Sequence, residues 1–368
     1  MSQNTFAKRD GSIAIKGSDG QFEGTLPAPQ SAAPSEVPTV TMAQAAQANK
    51  DSIITSGKDG TDVPPLVVTF MGKNGRPLSA RYYVKHPDDV AKAQEMGPDA
   101  AIDAGVAFPS ITTCIGSLDK PVLVGWAAGM ASDAAEAKLR ELQQMDPVAM
   151  SEEVDRLLEV KKGDRYKRTV IGAELRSAHR QKKERRAAEG TEVHALCESL
   201  EHGDISVDDV PDEYLGYVEA YQNFRDEYPG MKFIGTELTV AGRTTDGDGY
   251  MGTTDGIVEY NGKRYILDIK TKEGSEGRTP QAYDTVGQQL AAAANADDIV
   301  FSDGSTQPMY DVDGGIALVI DGKGQHAVYL FETGRDGMNF EGFSAARKAW
   351  NWKRKTGGDP KPLKAGAL

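Results

Sequence analysis

Residues 252–270 read GTTDGIVEYNGKRYILDIK, and the Asn261-Gly262 pair near their centre decides how the fold is read. Asn-Gly between strand-forming residues signals a two-residue type I′ hairpin turn, because both residues tolerate positive φ. Such a turn fixes the register: Tyr260 faces Lys263, so Glu259 faces Arg264, Ile257 faces Ile266 and Asp255 faces Asp268. Lys270, two residues beyond Asp268, falls on that same face. Val258, Tyr260, Tyr265, Leu267 and Ile269 take the other face, which suits burial. The expectation is a half-buried hairpin that gathers two carboxylates and a lysine at its far end.

Directly opposed Cβ atoms lie roughly 4.5–5.5 Å apart. Two carboxylates at that distance repel unless they share a proton, pair with Lys270 or hold a divalent cation between them. Hard oxygen donors around a small site favour magnesium or manganese. A lysine beside a metal-bound water can orient it, help deprotonate it, or neutralise charge building on a phosphate. The bland alternative is an exposed hairpin end whose charges satisfy one another. The second Asp, held opposite by the turn, favours a site.

Working outward, the chain has 368 residues, 39% hydrophobic and 26% charged. No apolar run approaches the ~18 residues that would span a bilayer, so no membrane partner is expected. The opening MSQNTFAKRDGS has no apolar signal region, and a cytoplasmic location is expected. Cys114 and Cys197 are too few for a disulfide framework or for a four-thiolate zinc or iron–sulfur site. Residues 1–64, with Pro27, Pro29, Pro34 and Pro38 and no apolar period, read as a flexible, disordered arm. Residues 65–106 read as a small β-hairpin extension turning at 73–76, residues 107–356 as the main domain, and 357–368 as a flexible tail. Within the main domain, helical patterns run over about 120–160 and 165–201, the second interrupted at Gly190. Strands follow over 233–271, a helix over 280–296, strands over 315–320 and 327–331, and a basic, aromatic helix over 339–355. This order predicts an α/β fold with a helical N-terminal part and a mixed β-sheet flanked by helices, rather than a doubly wound sheet.

The hairpin and its surroundings resemble the PD-(D/E)XK nuclease superfamily, whose core is restriction-endonuclease-like, and within it the RecB-like exonucleases of bacteriophages. That family carries a helical His, an Asp on a strand, D/E-x-K on the next strand and a Gln on the following helix. Here Gly190-Thr191-Glu192-Val193-His194 matches the first, Gly252-Thr253-Thr254-Asp255 the second and Asp268-Ile269-Lys270 the third. Gln288-Gln289-Leu290 falls where the Gln is expected. Upstream, Pro109-Ser110-Ile111-Thr112-Thr113 is similar to the segment that opens the domain in these phage proteins. The likeness covers about residues 108–352.

The resemblance implies magnesium- or manganese-dependent hydrolysis of DNA phosphodiesters, with His194, Asp255, Asp268 and the Ile269 carbonyl as metal ligands. Lys270 would be the catalytic lysine, with Asp255, Asp268 and Gln289 completing the catalytic set. Glu237, on the preceding strand, matches an acidic position that in some members adds a further metal contact. Ser110 and Thr112 would touch DNA. The implied setting is phage DNA recombination, replication or degradation in the host cytoplasm, with a recombination or replication protein as a further partner. The family often places Tyr four residues after its Gln, but Ala293 stands there, which leaves Gln288 open beside Gln289. The CRISPR-associated relatives hold an iron–sulfur cluster on four cysteines, and none is expected here.

His194 flanks an apolar helical stripe of Val193, Leu196, Cys197 and Leu200, where a lone histidine is ordinarily a packing residue; its order before the hairpin is what singles it out. Gly247-x-Gly249-x-x-Gly252 matches a dinucleotide fingerprint in letters only, since a strand follows where a helix is required. Asp246-Gly247-Asp248-Gly249 fails as a calcium loop, with Tyr250 at the third ligand position and no Glu at the twelfth. Neither a phosphate-binding G-x-x-x-x-G-K-[ST] nor a G-x-S-x-G nucleophile motif occurs.

The formal charge of −13 argues against nucleic acid when taken alone. Residues 161–186 nevertheless hold eleven Lys or Arg against three acids, a local +8 that leaves −21 on the rest of the chain. Arg180, Lys182, Lys183, Arg185 and Arg186 are its candidate phosphate contacts. Trp350, Trp352, Lys353, Arg354 and Lys355 form a second candidate surface, although core packing accounts for the tryptophans equally well. Three other readings stay open: an endonuclease, a catalytically inactive DNA-binding module that keeps the nuclease fold, and a partner-binding protein that works through its N-terminal arm.

Overall fold

Three short strands, β1 (Ile13–Lys16), β2 (Phe22–Leu26) and β3 (Ile54–Thr55), precede the continuous part of the chain. The computed structural model describes these strands and residues 66–356, apart from 73, 74, 119, 120, 165 and 276. The rest of the expected arm over 1–64, the first two residues of the turn at 73–76 and the tail over 357–368 lie outside the described residues.

β4 (Val67–Val68) pairs antiparallel with β5 (Tyr82–Tyr83), as the expected hairpin requires. β5 also pairs with β6 (Phe108–Pro109), so the extension is a three-stranded sheet. Two helices that the sequence reading did not anticipate lie between them, α1 (Asp89–Met96) and α2 (Pro98–Asp103). Gly97, at φ 77°, ends the first, and Pro98 starts the second where its missing N–H costs nothing. Leu66, Val68, Phe70, Tyr82 and Tyr83 share one core with Ala241 and Met251 of the large sheet, so packing does not break at 106/107. α3 (Ile111–Ile115) follows, capped by Ser110, whose Oγ accepts the Thr113 N–H at 2.9 Å.

The chain divides into two compact units, 1–118 with 193–368 and the inserted 119–192. The inserted unit contains α4 (Pro121–Gln143), α5 (Pro147–Leu158) and the first part of α6 (Val170–His202). The single helix expected over 120–160 is thus two. Asp146 accepts the Val148 and Ala149 N–H groups and Pro147 follows it, a strong start signal inside the expected helix. Gly190 does not interrupt α6. A helical glycine costs only about 1 kcal/mol, and the buried Val193, Cys197 and Leu200 anchor the helix beyond it.

In the larger unit two short 3-10 turns lead to α7 (Leu215–Glu227), a helix with no counterpart in the sequence reading. β7 (Lys232–Arg243), β8 (Gly249–Tyr260), β9 (Lys263–Lys272), α8 (Thr285–Ala294), β10 (Asp298–Val300), β11 (Thr306–Pro308), β12 (Gly314–Asp321), β13 (His326–Phe331) and α9 (Met338–Thr356) complete it. The strands form one mixed sheet in the order β11-β10-β7-β8-β9-β12-β13, with β3 beside β7. β9 with β12 and β3 with β7 are its parallel pairs. The fold is therefore α/β, with a mixed sheet flanked by helices. No helix among the described residues is long and apolar enough to cross a membrane.

Asn261 and Gly262 take φ of 52° and 74°, and the register they impose holds from Tyr260–Lys263 to Gly256–Leu267. The hairpin is buried on both faces rather than one. Ile257 and Ile266, both fully buried, pack with Leu238 and Val240 against α8 and α9. Val258, Tyr265, Leu267 and Ile269 pack with Leu318 against α7 and the end of α6. The reason is topological: β9 has a parallel neighbour on its other side, so the hairpin lies inside the sheet, where both faces need cover.

Candidate metal centre

The β8–β9 ladder stops at Gly256–Leu267, one pair short of Asp255 and Asp268. Beyond that point β8 continues along β7, with Thr254 opposite Leu238, while β9 continues along β12, with Asp268 opposite Ala317. The strands part, and side chains take over the backbone groups they release. Thr254 Oγ1 donates to the Leu267 carbonyl at 3.1 Å, and the Ile269 N–H donates to Asp255 Oδ2 at 2.5 Å. Asp255 and Asp268 are therefore not a ladder pair, as the sequence reading expected, but line the two sides of a fork. Like charges set directly opposite destabilise a sheet, and a charge-assisted N–H bond to Asp255 replaces the ladder bond the fork gives up.

Asp268 is the innermost group, its side chain 4% exposed. Lys270 Nζ donates to its Oδ1 at 2.8 Å and lies 2.7 Å from its Oδ2 as a charge contact without hydrogen-bond alignment. Gln289 Nε2, from α8, donates to Oδ1 at 2.7 Å. Asp268 Oδ2 is left buried without a hydrogen bond. Gln289, rather than Gln288, thus occupies the site; Gln288 also leaves a buried oxygen without a hydrogen bond.

Asp255 is met from α6 by His194, whose Nδ1 lies 3.3 Å from Oδ1. Glu237 joins them: the β7–β8 pairs on either side, Thr236–Gly256 and Leu238–Thr254, set it opposite Asp255. One ligand atom from each of His194, Glu237 and Asp255 lies within 4.8 Å of the others. Glu237 takes φ 46°, a left-handed conformation in mid-strand that costs a non-glycine residue of order 1 kcal/mol or more. Such strain persists only where the surroundings enforce it, and it concentrates at functional sites.

The charges set one another. Burial would lower His194, but the Asp255 carboxylate outweighs it and holds the imidazole at about 9, so it is cationic at neutral pH. Burial would raise Asp255, yet His194, Lys270 and the Ile269 N–H keep it below its ordinary value. Asp268 goes the other way: burial raises it, and the neighbouring Asp255 adds to the rise against the opposing pull of Lys270. Lys270 is raised, its two carboxylates overcoming the penalty of burial. A proton and an ammonium thus balance the carboxylates, the positions a divalent cation would compete for.

The other sequence candidates fare differently. Ser110, expected to touch DNA, is buried, with its hydroxyl committed to the α3 cap; Thr112 is exposed. Ile269 buries its side chain in the opposite core and gives its N–H to Asp255. In the inserted unit Arg180, Lys183 and Arg185 are exposed, Lys182 is half-buried, and Arg186 pairs with Glu189 at 2.5 Å. The surface expected at 350–355 is largely spent on structure. Trp350 packs against Tyr82 between Arg347 and Arg354, and Arg354 pairs with Asp99 and Asp103. Lys353 donates to the Ser117 carbonyl, while Trp352 remains exposed. Sequence reasoning missed Thr254, which closes the fork; its only signal was its place beside Asp255 in the Gly252–Asp255 motif.

No family model and no curated protein sequence matches the chain. Among solved structures, one titled "Crystal structure of SSO0001" is similar at 16% identity, over 45% of this chain and 69% of that one, with a TM-score of 0.23. A likeness that slight bears on neither fold nor function.

Proposed function

We propose that this chain is a divalent-metal-dependent DNA phosphodiesterase with a PD-(D/E)XK, RecB-like core, acting as an exonuclease in phage DNA recombination, replication or degradation. The observation that carries the reading is the fork itself, where Asp268, Lys270 and Gln289 form one contact set beside His194, Glu237 and Asp255. The donor set fits a hard divalent ion: carboxylates and one imidazole, plus a buried Asp268 oxygen that takes no hydrogen bond. His194, Asp255 and Asp268 would hold magnesium or manganese, with Glu237 and the Ile269 carbonyl as further donors. The ion would polarise the scissile phosphate and lower the pKa of a water.

The chain's own residues have separable tasks. Gln289 fixes the carboxylate plane of Asp268. The Ile269 N–H does the same for Asp255. Lys270, held cationic by its two carboxylates, suits orienting a water or neutralising charge on the phosphate better than accepting a proton.

The test uses end-labelled linear DNA and circular DNA, single- and double-stranded, with magnesium or with EDTA, beside Lys270→Ala. The reading expects cleavage that needs magnesium and Lys270 and spares circles. It also expects cleavage to survive deletion of residues 1–64. Cleavage indifferent to both EDTA and Lys270→Ala would sink the proposed site. Magnesium-dependent cleavage of circles would point to an endonuclease, and DNA binding without cleavage to an inactive module.

A further inference from the structure

Beyond the fork, β9 runs on to Lys272, two residues past Lys270 and on the same face of the strand. Its ammonium sits 3.2 Å above the ring centroid of Tyr283. Tyr283 lies two residues before α8, the helix that carries Gln289, and the residue is 62% exposed. Two elements that lead out of the site, β9 from Lys270 and α8 from Gln289, thus meet again in a cation–aromatic pair whose lysine is half-buried and whose ring is exposed.

Among the described residues the pair has no other partner: Lys272 makes no salt bridge and the Tyr283 hydroxyl no hydrogen bond. In a chain with 55 acidic residues, a lysine left to a ring face is a cation without a carboxylate to serve. One face of Tyr283 is covered by that lysine, and the exposure of the ring leaves area for a second planar group. A nucleobase stacks on such a ring whatever its sequence, and an ammonium beside it takes the adjoining phosphate.

We propose that Tyr283 and Lys272 form a stacking platform for an unpaired nucleotide next to the cut, so that the preferred substrate is single-stranded DNA or a frayed duplex end. This rests on the DNA-hydrolase reading above. Strand geometry sets the reach: two residues along β9 span about 6.6 Å. Stacked nucleotides rise about 3.4 Å each, so a strand running along β9 would put the platform about two nucleotides from a phosphate bound beside Lys270. A paired base keeps its faces within the duplex stack and gains nothing there.

The experiment measures binding in EDTA, where cleavage is absent, to a fluorescent single strand and to a blunt duplex, for wild type and for Tyr283→Ala, Tyr283→Trp and Lys272→Gln. Circular dichroism checks that each variant is folded. Tyr283→Ala is expected to weaken single-strand binding about five- to 150-fold, the range for loss of one base stack, while duplex affinity changes less than twofold. Tyr283→Trp is expected to restore single-strand binding, and Lys272→Gln to flatten its salt dependence. If folded Tyr283→Ala binds single strands as well as wild type does, the platform is wrong. Magnesium- and Lys270-dependent cleavage by wild type would then leave the hydrolase reading standing. Wild type that neither binds nor cleaves any DNA would overturn both.

Discussion

Lys270→Met removes the ammonium from the fork and keeps most of its bulk, so its effect on the metal-free protein measures how much Asp268 depends on a cation. Asp268 then keeps the Gln289 hydrogen bond but faces Asp255 with its own cation gone. Breaking a buried ion pair by removing one partner costs about 3–5 kcal/mol. Lys270 is 29% exposed and the Gln289 bond remains, which trims the lower end to about 2 kcal/mol. The upper end has an independent ceiling, because Asp268 can escape by taking a proton. Its ordinary value is 3.8, and at about 1.36 kcal/mol per pH unit holding it neutral at pH 7 costs about 4 kcal/mol. The expected loss at pH 7 is thus about 2–4 kcal/mol.

The sign in pH follows from the same group. In the variant the folded state binds a proton that the unfolded state does not, so stability falls as pH rises from 3.8 toward 7. At pH 5 the ceiling drops to about 1.6 kcal/mol, and the gap to wild type must shrink with it. Magnesium supplies the missing charge, so 10 mM is expected to narrow the gap at pH 7. Urea unfolding followed by circular dichroism, at pH 5 and 7 with and without magnesium, reads all of this. A gap below about 1 kcal/mol at pH 7, or one that is equal at pH 5 and 7, would refute the buried-carboxylate account.

Asp268→Asn keeps both neighbours as hydrogen-bond donors but removes one of two mutually repelling charges; it is expected to unfold at the same or higher urea than wild type while losing most of the shift that magnesium gives, and an undiminished shift would place the ion elsewhere. Gly216→Ala in α7 would ordinarily gain about 1 kcal/mol of helix propensity, but a Cβ there meets the Gly322 carbonyl oxygen at 2.2 Å, so a loss of about 1–3 kcal/mol is expected, and a gain in thermal stability would contradict that contact. Burial pushes the Cys114 thiol up to about 12 and raises Cys197 as well; at pH 8 both are therefore almost wholly thiol, and a disulfide reagent is expected to label neither in the native state and both in denaturant. Replacing the exposed Arg180, Lys183 and Arg185 with Ala is expected to reduce the slope of log affinity against log salt by up to about 0.9 per residue on duplex DNA, and an unchanged slope would remove that helix from the interface.

What the sequence made legible divides by the range of the forces involved. Asn261 and Gly262 dictate their own φ values, and a two-residue loop carries that local choice along the strands, so the register from Tyr260–Lys263 to Gly256–Leu267 needed no tertiary information. The parting at Asp255 did need it. It depends on β7 and β12 capturing the two strands, and β12 lies more than forty residues downstream of β9. The burial of both faces was masked for a related reason. Ile257 and Ile266 alternate with Asp255, Glu259, Arg264 and Asp268, so the face reads as polar. Yet Glu259 and Arg264 pair with each other at 2.8 Å near the turn, the carboxylates sit at the fork, and the isoleucines between them lie beneath α8. α7 was readable and unread: Tyr217, Tyr221 and Phe224 recur at i, i+4 and i+7, and all three are buried. Glu237 belongs to neither class. Nothing in the local sequence announces a left-handed residue in mid-strand, and a glycine there would relieve the strain at no steric cost. That a glutamate holds the position instead, opposite Asp255 and within reach of His194, makes sense if its carboxylate is worth more to the site than its backbone costs the strand.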